Sequence, residues 1–134
     1  MPKFVFQLDG VLRQRKHIER EKQRELAVVQ AQMAQLQIEL RNLNETVQVS
    51  NDDTRRNHLT GRLDMNFLAA HRRFIISTQR KALALMHKMA LVQRQLDEAR
   101  KALAEAAKQR KVIEKLREKH RERWMERLSR RELS

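Results

Sequence analysis

The sequence predicts an all-α fold: two long helices forming an antiparallel coiled-coil hairpin, the second overhanging the first at the end that carries the termini. Three observations support this. Apolar residues recur with a period of 3.5 in two long runs, and one cluster of turn-forming residues lies between them. The chain of 134 residues holds only two Gly, one Pro and 4% aromatic residues, too few turn formers and rings for a compact core of that size. With 40% hydrophobic residues it is also too apolar to stay disordered, despite 35% charged residues.

The first helix is expected over about 7–50. Alternating steps of four and three from Leu8 reach Leu12, Arg15, Glu19, Lys22, Leu26, Val29, Met33, Leu36, Leu40, Leu43 and Val47. Each pair of steps returns the stripe to one seam, which winds left-handedly against a partner helix. Gly10 sits where its helix penalty is smallest, and Asp9 is a candidate cap. Arg15, Glu19 and Lys22 interrupt the apolar stripe. They read either as a weak stretch that can splay or as long stems lying over a seam that two helices never fully bury.

The turn is expected over about 51–63. It opens on Ser50-Asn51-Asp52-Asp53-Thr54 and includes Thr60-Gly61, with Asp64 as the cap of the second helix. That helix is expected over about 64–130. Its stripe passes through Leu68, His71, Ile75, Thr78, Ala82, Leu85, Met89, Val92, Leu96, Ala99, Leu103 and Ala106.

In a hairpin, facing seam residues have numbers with a constant sum. Val47 with Leu68, Leu40 with Ile75, Met33 with Ala82, Leu26 with Met89 and Leu12 with Leu103 all give 115. Leu43 with His71, Leu36 with Thr78, Val29 with Leu85 and Leu8 with Ala106 give 114. Both runs therefore fit one register, which sets Arg15, Glu19 and Lys22 against Ala99, Leu96 and Val92. A parallel dimer would use the same stripes. In this register nothing beyond about residue 112 has a partner from helix one. From Lys108 to Glu132 there are eleven basic residues and five acids. Glu114, Glu118, Glu122 and Glu126 each follow a cation by three positions, as suits a solvated single helix.

Phe67 and Phe74 flank the seam near the turn, with Ala70 and Ile76 close by. They suit either docking of a third surface or edge packing. Phe4, Phe6, Trp124, Met125 and Leu128 collect at the opposite end, to anchor a contact or to cover the end of the seam. The five His are scattered without metal-ligand spacing. No phosphate loop, activated nucleophile or carboxylate pair is present, so no catalytic, cofactor or metal site is expected. The absence of Cys suits a reducing compartment. No run spans a bilayer, and Asp9 interrupts any signal-peptide core, so a cytoplasmic location is expected.

The net charge is +13, which calls for acidic partners. Residues 1–24 carry +4, 25–107 carry +3 and 108–134 carry +6, so the excess gathers at the termini end. A basic coiled coil that binds nucleic acid is the alternative reading. A zipper-type reader, however, concentrates its basic region beside the zipper, whereas here the cations are spread along the chain.

The opening Phe4-x-Phe6-x-Leu8-x-x-x-Leu12-x-x-Arg15, followed by Glu19 and a long charged heptad run, resembles the start of the FliJ family of flagellar type III export proteins. Gln109-Arg110-Lys111-Val112-Ile113-Glu114-Lys115-Leu116-Arg117-Glu118-Lys119 resembles that family's distal second helix, and the likeness covers nearly the whole chain. Family members often end in an acidic stretch, where this sequence reads Glu132-Leu133-Ser134. The resemblance implies a monomeric, cytoplasmic, non-enzymatic component, similar to the central stalk of rotary ATPases. It would insert into the hexameric export ATPase, contact the cytoplasmic domain of the export gate and escort export chaperones. No nucleic acid would be a partner, and association with the inner membrane at the flagellar base would come through partners only. By position along the hairpin, Phe4, Phe6, Lys115, Arg117, Arg121, Arg123 and Trp124 would meet the ATPase. Leu43, Val47, Phe67, Ala70 and Phe74 would meet the gate.

Overall fold

The computed structural model describes residues 2–59 and 65–133, and its regular structure consists of two helices: α1, Asp9–Leu59, and α2, Met65–Leu133. The chain divides into two compact units. The first joins Met1–Val28 to Asp97–Ser134, and the second is Val29–Leu96. In each unit a segment of α1 packs antiparallel on a segment of α2. No helix of the described residues is long and apolar enough to cross a membrane.

The heptad stripes form the seam. Every seam position expected from the sequence, Leu8 to Val47 and Leu68 to Ala106, is buried or half-buried. The most buried apolar side chains are Phe6, Leu12, Met33, Leu96 and Ala106, and none of the large ones is fully buried. Two helices alone cannot enclose a core, so stability accumulates along the seam instead. Thr78 is the one buried polar residue among those described, and its hydroxyl donates to the Phe74 carbonyl at 2.8 Å.

The ends of α1 differ from expectation. At the start, the Leu12 amide donates to the Leu8 carbonyl at 2.9 Å, so Leu8 occupies the cap position and Asp9 lies in the first turn. A carboxylate there is favourably placed against the helix dipole. At the other end, α1 runs through Ser50–Thr54, where a turn was expected, to Leu59. Ser50 and Thr54 continue the seam phase and are half-buried. Thr54 donates to the Ser50 carbonyl at 2.9 Å, and the two hydroxyl oxygens lie 3.2 and 2.9 Å from Nδ1 of His71 on α2. Tertiary partners thus override the local preference of these residues for a turn. Thr60, Gly61 and Asp64 lie outside the described residues.

The register differs from expectation as well. In the first unit Arg15 meets Gln109, Glu19 meets Arg110 and Asp9 meets Arg117. In the second, Ser50 and Thr54 meet His71. The paired numbers add to 121–129, against the expected 114–115. The difference is about ten residues, or roughly three helical turns. A stripe of period 3.5 recurs after such a slide, which is why both registers keep the same seam.

Gly10, in the first turn of α1, has open space where a Cβ would stand. Gly10→Ala is therefore expected to stabilise the chain by about 0.5 kcal/mol, through the unfolded chain's lost freedom. A thermal melt followed by circular dichroism checks this; a lowered midpoint would contradict it.

Candidate functional site

The candidate site for partner binding is the unit that carries both termini. Before α1 begins, residues 2–8 lie against α2 as a strap, and the Asp9 amide turns the chain by donating to the Phe6 carbonyl at 3.1 Å. Phe6 is 3% exposed and meets the His120 ring edge-on at 5.4 Å. Phe4 packs tilted on Trp124 at 5.8 Å, and the Arg117 guanidinium lies 5.7 Å from the centre of the Phe4 ring. Cation–π and ring contacts of this kind are each worth roughly 0.5–1 kcal/mol. The same Arg117 donates from Nε to Asp9 Oδ1 at 3.2 Å, joining the first turn of α1 to the strap's footing.

One turn further in, charges take the place of the apolar seam. Arg15 donates to Gln109 Oε1, and Gln109 in turn donates to Glu105 at 3.3 Å. Arg110 donates to Glu19 on α1 and to Glu114 on its own helix, the latter at 2.8 Å. These hydrogen bonds, first the one to Glu19 and then the one to Glu114, raise the Arg110 pKa above its ordinary value. The Glu19 side chain is 14% exposed and that of Arg110 23%, while Asp9 and Arg117 are nearly half exposed. The inner pair is thus the better shielded, and the outer one is worth at most about 1 kcal/mol. Lys22, the third member of the polar break, pairs along its own helix with Glu25 at 3.3 Å.

The stretch expected to be a lone, solvated helix is therefore paired well past residue 112. Steps of four and three beyond Ala106 reach Arg110, Ile113, Arg117, His120 and Trp124, all of them half-buried. That signal was present in the sequence, but an apolar criterion stops at Ala106. The overhang of α2 beyond α1 remains, shorter than expected and partly covered by the strap. A groove beside this seam is lined by Asp9, Leu12, Arg13, Lys16, Glu114, Arg117, Glu118 and Arg121.

Of the residues assigned by position to the ATPase, Lys115, Arg121 and Arg123 are exposed, Phe4, Arg117 and Trp124 are half-buried, and Phe6 is buried. Those assigned to the gate belong to the second unit, and the register separates them. His71, between Phe67 and Phe74, faces Ser50 and Thr54, whereas Leu43 lies with Lys81, Leu85 and Lys88. Leu43, Val47 and Phe74 are half-buried, Ala70 is exposed, and Phe67 is 36% exposed and stacked on His71 at 6.4 Å.

Two long helices packed antiparallel, with a strapped basic end, define a coiled-coil binding protein, a class that works through side chains presented along its helices. Residues 4–133 match the family described as Flagellar FliJ protein. The chain belongs to the FliJ family and is a component of the flagellar type III export apparatus; the family is a non-catalytic one. No curated protein and no solved structure matches the chain significantly.

Because Trp124 is the sole Trp, it reports on the strap. Phe6→Ala is expected to cost about 2–3 kcal/mol, below the ~3–5 of a deep core because the strap can peel away first. Trp124 fluorescence should shift to the red and become more quenchable by acrylamide while helicity persists; an unchanged Trp124 would show that Phe6 does not hold the strap.

Proposed function

We propose that the unit carrying the termini enters the ring of the hexameric export ATPase as a stalk. The observation that carries this reading is the placement of charge. Residues 1–24 and 108–134 together hold +10 of the chain's +13. Within them, Lys115, Arg121 and Arg123 stand exposed on the helix that the strap fastens. A unit offered end-on to a ring needs a paired tip with its contact groups outward, and electrostatic steering favours association with acidic walls. Phe4, Phe6, Arg117 and Trp124 keep that tip in one conformation, and the exposed cations make the contact.

The second unit, with Phe67, Ala70 and Phe74 on α2 and with Leu43 and Val47 on α1, contacts the cytoplasmic domain of the export gate. The chain also escorts export chaperones. It works as a monomer in the cytoplasm, held at the inner membrane of the flagellar base through its partners.

Reversing three exposed charges together, Lys115→Glu, Arg121→Glu and Arg123→Glu, is expected to weaken binding to the export ATPase at least tenfold and to abolish stimulation of its turnover. Circular dichroism should be unchanged, because none of the three closes the seam. Wild-type affinity in the triple variant would contradict the stalk assignment.

A further inference from the structure

The averaged charge of the chain's middle hides a separation between the two helices. From Met65 to Leu96, α2 carries six Lys or Arg and not one Asp or Glu. All the acids of the second unit's described residues, Glu39, Glu45, Asp52 and Asp53, stand on α1.

Within that acid-free stretch, apolar side chains remain outside the seam. Ile76 is 41% exposed, Leu83 66% and Met86 53%, and Ala90 is exposed as well. At 100° per residue these four fall within an arc of about 80°. Ile76, Leu83 and Ala90 follow one another at intervals of seven. Immediately beside this row runs a second one with the same interval: Arg73, Arg80, His87 and Arg94, all exposed. The rows alternate at spacings of three and four, so Ile76 has Arg73 and Arg80 one turn away on either side, Leu83 has Arg80 and His87, and Ala90 has His87 and Arg94. On the seam side, Met89, next to Ala90, shares a cleft with Gln37, Leu40, Arg41, Asn44, Glu45 and Gln48 of α1, where one cation and one acid offset each other. Phe67, Ala70 and Phe74 lie roughly 120–180° around the helix from Ile76, so this flank is separate from them.

We infer that this flank of α2, residues 73–94, is a docking surface for an amphipathic helix of a partner protein, one with an apolar row and an adjacent row of Asp or Glu at heptad spacing. The partner's apolar row covers Ile76, Leu83, Met86 and Ala90, and its carboxylates meet Arg73, Arg80 and Arg94. Charge complementarity selects this occupant. A second copy presenting the same stretch would bring cations against cations. A phosphate surface would satisfy the arginines and leave Leu83 and Met86 against water.

The test uses the full chain and a labelled, lactam-bridged helical peptide of three heptads, with Leu along one face and Glu along the adjacent row. Fluorescence anisotropy at physiological salt reads the binding. The Glu peptide is expected to bind, and its Lys counterpart to bind at least tenfold more weakly. Arg80→Glu with Arg94→Glu should reverse that preference, and Leu83→Gln with Met86→Gln should weaken binding of the Glu peptide at least tenfold. All four positions are exposed, and unchanged circular dichroism verifies the fold. Equal binding of both peptides, or indifference to these substitutions, overturns the inference. So does tighter, equally substitution-sensitive binding to anionic phospholipid vesicles or duplex DNA, or self-association of the unliganded chain that Leu83→Gln abolishes. Because Lys115, Arg121 and Arg123 are untouched, loss here leaves ATPase binding intact.

Discussion

A seam of period 3.5 holds two helices together without saying how far one has slid past the other, and the chain resolves this with a few polar contacts. Sliding by about three turns returns most apolar seam residues to an apolar or small neighbour. What such a slide does not preserve is the environment of the polar break in α1. In the register with sums of 114–115, Arg15, Glu19 and Lys22 would lie against Ala99, Leu96 and Val92. In the structure Arg15 finds Gln109 and Glu19 finds Arg110. Setting partly buried charges against aliphatic side chains costs free energy that a charge-assisted hydrogen bond avoids. The break is therefore the register mark of the hairpin, in the way that one polar residue fixes the alignment of a coiled coil.

Other features of the molecule depend on this choice. Moving α1 ten residues along α2 carries its first turn to Arg117 and brings the strap over His120 and Trp124. It also draws Ser50 and Thr54 into the seam opposite His71, extending α1 to Leu59. The end with most of the positive charge thereby becomes a fastened tip rather than a loose single helix. Lys115, Arg121 and Arg123 are presented, exposed, on the helix that the rings of the strap fasten. A polar stretch that looks like a defect in the stripe thus places both the tip and its contact groups.

Fold class, seam positions and family were legible in the sequence because each rests on a repeated pattern. Leu8 to Val47 and Leu68 to Ala106 are all inward, as the steps of four and three require. Register and turn were not, because each depends on a comparison that an apolar count omits. Matching Arg15 and Glu19 to polar partners, rather than Leu12 to Leu103, would have pointed to Gln109 and Arg110. Likewise, Ser50 and Thr54 read as turn formers when taken alone, yet they fall on the seam phase, and a facing His71 makes them helix residues. The candidate site was legible as a composition, a basic end with Phe4, Phe6 and Trp124. Which of those residues bind inward became visible only once the strap was placed, with Phe6 at 3% exposure and Arg117 shared between Asp9 and Phe4.

The direct measurement of this account is the distance between spin labels at Arg13→Cys and Glu118→Cys in the full chain, which has no Cys of its own. Both positions are exposed and line one groove. A single short distance is expected, with a second, longer population arising when Glu19 and Arg110 are both replaced by Ala. In the alternative register residue 13 would face residue 102, moving the second label about 15 Å farther along the helix than in the structure. That longer distance in the otherwise unchanged protein, or no response to loss of Glu19 and Arg110, would contradict the claim that polar contacts set the register.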